Sequence, residues 1–304
     1  MNRIEIHELT KDYGTHRAVD HLTFDVLPGR VTGFLGPNGA GKSTTLRMLL
    51  GLDRPTAGTA TIGGSRFTDL QSPLRQVGAL LDPQAAHGGR RARDHLLALA
   101  VSNGIPASRV EAVLEQAGLA AVARRRVGTF SLGMRQRLGI AAALLGDPGV
   151  LLLDEPTNGL DPEGIIWIRE LMRGLAAEGR TVLVSSHLMA ESAAFVDHLV
   201  VLGQGKLLAD SPMGEFIDAR STPRVRLRTS EPARLEAALA REGFEMASTE
   251  DGRWTVDGIR AERIGALAAR EGIPVLELAD ERASLEQAYL DLTADRSPFS
   301  ATAA

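Results

Sequence analysis

The sequence predicts an α/β core followed by a small α+β domain, and three observations carry that prediction. Short apolar runs at residues 31–35, 150–153 and 181–185 are separated by helix-compatible stretches, the pattern of parallel strands joined by crossover helices. A glycine-rich segment lies between the first run and its helix. Composition then changes near Asp218, after which shorter strand and helix patterns follow.

Residues 4–9, IEIHEL, alternate as a half-buried strand does. A second strand is expected at 22–26, ended by the turn Pro28-Gly29. The run at 31–35 enters the glycine-rich loop, and a helix is expected at 43–50. Residues 93–146 read as a helical insert broken at Asn103-Gly104, Gly118 and Gly128. The continuous apolar run 150–153 suits a strand buried on both faces, as does 181–185, with a helix over 162–178 between them. Beyond the segment 219–223, strands are expected at 225–229 and 252–256, and helices at 232–241 and 259–270. A last helix is signalled by Ser284 three positions before Gln287, a capping box, with Leu285, Tyr289 and Leu292 on one face. These limits give a first domain over 1–218, a second over 222–293 and a frayed tail over 294–304.

The chain has 304 residues, of which 44% are hydrophobic, enough to bury a substantial core. Its 34 basic and 38 acidic side chains give a net charge of -4, which supplies no broad positive field for a nucleic-acid backbone. Two arginine groups are dense: Arg90, Arg91 and Arg93, and Arg124, Arg125 and Arg126. Each reads as a solvated or interface charge group, and no nucleic-acid partner is expected. Cysteine is absent, which removes disulfides and thiolate metal sites. No secretory signal is expected at the charged N-terminus, and charges interrupt every apolar stretch before it could cross a bilayer as a helix.

Residues 36–44 read GPNGAGKST. Full spacing, the lysine-serine ending and the preceding strand mark a phosphate-binding loop. Gly36, Asn38, Gly39, Gly41, Lys42, Ser43 and Thr44 are the expected nucleotide contacts, with Lys42 reaching the β- and γ-phosphates and Ser43 ligating Mg2+. Asp154 and Glu155 end the apolar run VLLL. Asp154 is expected to orient water on magnesium and Glu155 to polarise the attacking water, because phosphoryl transfer needs positioning and charge compensation. The loop alone leaves ATP and GTP both open.

The ordered set GPNGAGKST, FSLGMRQR at 130–137, LLLDEPTNGLDP and Ser185-Ser186-His187 resembles the ATP-binding subunits of ABC transporters, over roughly residues 2–216. The resemblance implies an ABC-type P-loop ATPase fold with a helical subdomain at about 93–146. It further implies ATP and Mg2+ as ligands and a head-to-tail homodimer that encloses each nucleotide. In that arrangement Ser131 and Gly133 match signature positions facing the opposing γ-phosphate, and Asp161 matches the loop joining the two sites. Glu155 resembles the catalytic base, His187 the switch histidine, and Tyr13 the aromatic residue that stacks on adenine. Asp82 stands where many relatives carry a glutamine that joins magnesium and water to the permease interface. The alignment through residues 77–81 favours Asp82, and Gln84 is two residues away. The signature departs from LSGGQ at Phe130, Leu132 and Met134.

By resemblance the chain is similar to bacterial drug- and antibiotic-resistance exporter ATPases, whose permease is a separate multi-spanning polypeptide. That places it at the cytoplasmic face of the cell membrane, with the loop HGGRRARDH at 87–95 as the expected permease contact. The C-terminal domain is read either as a regulatory or dimerising element or as a stabilising appendage. Two competing readings are a soluble ABC-type ATPase and an ATP-dependent regulatory scaffold. The first lacks the long coiled-coil insertion or second cassette such proteins carry, and intact Lys42, Asp154, Glu155 and His187 oppose the second.

Overall fold

A computed structural model describes residues 2–187, 194–219, 223–249, 252–281 and 285–294. The chain divides into two compact units, Met1–Met213 and Gly214–Ala304. The junction falls a few residues before the compositional change, at the helix Met213–Asp218.

The first unit begins with β1 (Ile4–Tyr13), β2 (His16–Val26) and β3 (Val31–Leu35), then α1 (Lys42–Leu49), β4 (Ala57–Ile62) and β5 (Val77–Leu80). It continues through α2 (Ala92–Ser102), α3 (Ser108–Gln116) and α4 (Leu132–Leu144) to β6 (Val150–Asp154), α5 (Pro162–Ala177) and β7 (Thr181–Ser186). Strands β8 (His198–Gly203) and β9 (Lys206–Pro212) complete it. A three-stranded antiparallel sheet has the order β2-β1-β4, and a six-stranded sheet has the order β5-β6-β7-β3-β8-β9. The larger sheet is parallel except for β9, which runs antiparallel on β8.

One core joins the two sheets. Ile4 and Ile6 from β1, Phe24 from β2 and Phe34 from β3 pack with Leu46 and Leu49 of α1 and Leu152 and Leu183 of β6 and β7. The Phe24 and Phe34 ring centroids lie 5.4 Å apart. Leu46 and Leu49 fall on one face of α1 and are fully buried, which stabilises the docked helix by about 1.5–3 kcal/mol each. The start of α1, and with it the phosphate loop, is therefore held by the core and not by loop contacts alone.

Residues 93–146 are mainly helical, as expected, and the structure pairs the two arginine groups. The Val127 amide donates to the Arg90 carbonyl at 2.9 Å and the Ala92 amide to that of Arg125 at 3.1 Å. Arg90, Arg91, Arg124, Arg125 and Arg126 are all exposed, and the single bridge between Arg91 and Arg126 brings the two runs together.

The second unit contains strands β10 (Arg224–Thr229), β11 (Met246–Ser248), β12 (Trp254–Asp257) and β13 (Val275–Glu281), in the order β11-β12-β10-β13. With helices Pro232–Arg241 and Ala261–Glu271 between them, all neighbours antiparallel, this is a βαββαβ arrangement. Val225, Leu227, Leu235, Leu239 and Ile264 form its core. On the other face of β10, Arg224 pairs with Asp257 at 2.5 Å and Arg226 lies 3.6 Å from Glu277. The helix Leu285–Ala294 buries Leu285 and Ala288, with Tyr289 and Leu292 half-buried, as its spacing predicts. Ser284, the expected cap, and most of the expected tail lie outside the described residues.

Candidate functional site

The ends of β3, β6 and β7 meet the start of α1 because parallel pairing aligns their C-terminal ends. Between β3 and α1 the loop turns through Gly36, Gly39 and Gly41 at φ of 156°, 81° and 101°. A Cβ on Gly36 would lie 2.6 Å from the Leu202 carbonyl oxygen, and one on Gly41 would lie 2.6 Å from that of Ala18. Both positions exclude side chains by close backbone approach as well as by backbone angle.

Lys42 is only 6% exposed, and its ammonium donates to the carbonyls of Gly36 at 2.7 Å and Pro37 at 3.2 Å. Burial holds its pKa below the ordinary value, against the opposing charges of Glu155 and Asp154. Glu155 Oε1 stands 4.0 Å from Lys42 Nζ. The Ser43 hydroxyl donates to Asp154 Oδ2 at 2.7 Å, and the Ser185 hydroxyl donates to Asp154 Oδ1. Ser185 Oγ in turn accepts the Glu155 amide at 3.0 Å. A continuous hydrogen-bonded chain thus joins α1, β6 and β7.

Glu155 has φ of 49°, a left-handed conformation that costs a non-glycine residue on the order of 1–3 kcal/mol. His187 Nδ1 lies 2.9 Å from Glu155 Oε2, but the alignment is not that of a hydrogen bond, so both buried atoms keep unused bonding capacity. Lys42, Ser43, Glu155, Tyr13, His16 and Ala18 line, with residues 38–41 and Thr44, a cleft of about 350 Å³. A larger groove of about 420 Å³, beside Arg54, Arg66 and Phe67, contains none of the expected site residues.

Tyr13, at the end of β1, is 47% exposed at the cleft. Its hydroxyl donates to Asp53 Oδ2 at 3.0 Å, and Lys11 Nζ sits 4.8 Å from the ring centre. Loss of surrounding water, and then the Asp53 carboxylate, raise the Tyr13 pKa. Arg47, bonded to Asp53 at 2.8 Å, keeps that carboxyl below its ordinary range.

The remaining expected residues lie outside this cleft. Ser131 caps α4, its hydroxyl accepting the Met134 amide at 3.2 Å. Gly133 meets the turn before α5 so closely that a Cβ would lie 2.8 Å from the Gly159 carbonyl oxygen. The side chain of Leu132, one of the departures from LSGGQ, covers Gly159. Asp161 caps α5 by accepting the Gly164 amide at 2.8 Å. Asp82 is exposed and accepts the Gln84 amide at 2.7 Å, and it makes no hydrogen bond or ion pair to Ser43 or Asp154.

Three residues at the site were given no role by sequence reasoning, although Ser185 and Gln136 lie inside the quoted motifs. His16 lines the cleft from the first hairpin, Ser185 links the two acidic residues, and Gln136 donates to the Glu155 carbonyl at 3.1 Å. The small polar residue at the end of a buried strand was a usable signal for Ser185; Gln136 lies mid-helix with none.

The residues fit a nucleotide-bound magnesium ion. Ser43 and Asp154 present adjacent hard oxygen donors, and such an ion needs only one or two protein ligands beside phosphates and water. Among the described residues no group of three or more His, Cys, Asp or Glu forms a protein cage.

Comparison with known proteins agrees with this geometry. The ABC transporter family profile matches residues 19–158, and a domain of unknown function, DUF8746, matches residues 223–286. The bacitracin transport ATP-binding protein BcrA of Bacillus licheniformis is 38% identical over 95% of this chain and 96% of its own length. The lantibiotic transport ATP-binding protein SrtF of Streptococcus pyogenes is 35% identical over 68% of this chain and 90% of its own. The solved structure of an ATP-binding subunit of an ABC transporter superposes with a TM-score of 0.66 at 28% identity, covering 71% of this chain and 92% of that one. Phosphate loop, acidic strand end and full-length similarity converge: the chain belongs to the ABC transporter ATP-binding family and is an ABC-type ATPase.

Proposed function

We propose that this ATPase powers export of an antibiotic, drug or other small molecule through a separate multi-spanning permease, working as a homodimer at the cytoplasmic face of the membrane. The observation that carries the reading is the chain Ser43–Asp154–Ser185–Glu155, which sets a carboxylate at the cleft opposite Lys42. The names of the bacitracin and lantibiotic relatives support the cargo class. Among the described residues no helix is long and apolar enough to cross a membrane, so the reading assigns the transport path to another polypeptide.

Lys42 compensates charge on the terminal phosphates, and Tyr13 offers its exposed ring to the adenine. Glu155 accepts a proton from the attacking water, and His187, whose Nδ1 stands 2.9 Å from that carboxylate, contacts the γ-phosphate and helps hold the water. Mg2+, held by Ser43 and Asp154, would supply further charge compensation to the phosphates. Ser131 and Gly133 of the second protomer complete the site, with Asp161 linking the two. Asp82 joins the site only when the permease reorganises its loop. The basic surface of Arg90, Arg91 and Arg124 to Arg126 stands beside that loop and suits an acidic cytoplasmic segment of the permease.

Replacing Glu155 by Gln tests the assignment. ATP binding is expected to stay within about threefold of the parent while phosphate release slows on the order of 100-fold or more, the usual contribution of a positioned base. Equal release rates would remove Glu155 from the mechanism.

A further inference from the structure

Gln136 reaches the reaction centre from behind the cleft. It lies in the second turn of α4, is 1% exposed, and donates from Nε2 to the Glu155 carbonyl at 3.1 Å. The Asn158 amide donates to the same oxygen at 3.2 Å. On the other side, the Glu155 amide meets the hydroxyl of Ser185 at 3.0 Å and its carbonyl at 3.3 Å. The peptide units flanking Glu155 are thus gripped from β7 and from α4.

Two features make this grip informative. Glu155 holds a left-handed φ of 49° immediately before Pro156, a conformation that persists only where neighbours over-determine it. The Oε1 atom of Gln136 is buried with no hydrogen-bond partner, a cost that an apolar side chain of similar size would avoid. A glutamine that only filled space would be a poor choice here; one that fixes Glu155 accounts for both observations.

We propose that Gln136 is a positioning residue that ties the orientation of the Glu155 carboxylate to the placement of α4. Ser131 caps the same helix five residues earlier, about 7.5 Å along its axis. A rigid displacement of that end is passed to the Glu155 carbonyl through the Gln136 amide, so occupancy at the Ser131 loop sets the aim of the base. The inference rests on the reading of Glu155 as the base.

The test uses the full chain and ATP. Gln136→Met removes the donor at nearly constant volume and is expected to lower kcat on the order of tenfold, the scale of a small misplacement of a reacting group, with ATP affinity within about twofold and thermal stability not reduced. In a Glu155→Gln background the same change is expected to alter residual phosphate release by less than about twofold, because residues acting as a unit are non-additive. An unchanged kcat in the parent, or an equal tenfold loss in both backgrounds, would overturn the proposal. If the Met variant does not fold, Gln136→Glu decides. Its protonated acid regains a donor, so its rate relative to the parent should rise as pH falls, and a flat relative profile would refute the tether. Failure of the underlying reading is distinct, since Glu155→Gln alone would then turn over at the parent rate.

Discussion

The phosphate-loop side and the signature side of the site use the same residue types in opposite ways. On the first, Ser43, Asp154 and Ser185 bond to one another across three separate elements, and Lys42 is buried among loop carbonyls. On the second, Ser131 and Asp161 each bond to the backbone of the helix they begin. Tertiary polar chains lock the first side before nucleotide arrives. Local caps leave the second side as two helix starts whose placement depends on how α4 and α5 sit, which suits a surface completed by a second protomer.

The largest effect that would break this contrast belongs to Lys42. Lys42→Met is expected to weaken ATP binding by more than about 100-fold, measured by nucleotide titration, because a buried charge-assisted contact to phosphate is lost. Stability of the nucleotide-free chain should not fall with it. The folded state disfavours the ammonium, so its pKa is lowered on folding and the cost of burying the charge is fully present at neutral pH. That cost is relieved as pH rises through the lowered pKa toward the ordinary 10.5. Any stability advantage of Met over Lys, read from thermal melts across pH, should therefore shrink toward alkaline pH. A Met variant that is much less stable at pH 7 would mean that the loop depends on the ammonium for its fold.

Ser131→Ala is the next in size and sharpens the other half. Removing the cap costs about 1 kcal/mol, which for a unit of this size lowers the melting temperature by about 2–4 °C. Turnover at saturating ATP is expected to fall about tenfold, well beyond what the cap explains, through loss of a hydrogen-bond donor to phosphate. Ser131→Gly costs the cap only about a few tenths of a kcal/mol and carries no side-chain donor, so it separates the two: retained stability with restored turnover would show that capping was the whole role.

The same contrast governs what could be read from sequence. The order β3, loop, α1 was legible because strand, glycines and lysine-serine are contiguous, and β6 and β7 were legible as buried apolar runs. The role proposed for Tyr13 and that of the basic loop after β5 needed the family resemblance. Strands β4, β5, β8 and β9 were not assigned: β4 is AGTATI, built of small residues, and β9 is an edge strand with mixed exposure. Their identity comes from pairing partners distant in sequence, such as Phe34 of β3 beside Val200 of β8. In the second unit β13 was missed because Asp280 and Glu281 interrupt its apolar pattern, while Glu277 on it pairs with Arg253 at 3.0 Å. Joining the two arginine runs likewise required the bridge between Arg91 and Arg126, which neither run encodes alone.

The smallest expected effect separates cap from charge at Asp161. Asparagine is as good an N-cap as aspartate, and its side-chain oxygen can accept the Gly164 amide as the carboxylate does. Asp161→Asn therefore removes little besides the negative charge near the α5 N-terminus, a change of about 0.3–1 kcal/mol through the helix dipole. Melting temperature should stay within about 2–3 °C of the parent. Phosphate release should fall by less than about threefold if the residue serves mainly as the α5 cap, the role its 2.8 Å bond describes. A loss of tenfold or more at unchanged stability would show the carboxylate acting beyond its own helix, and the signature side would then carry a charge-dependent link between protomers in place of a purely geometric one.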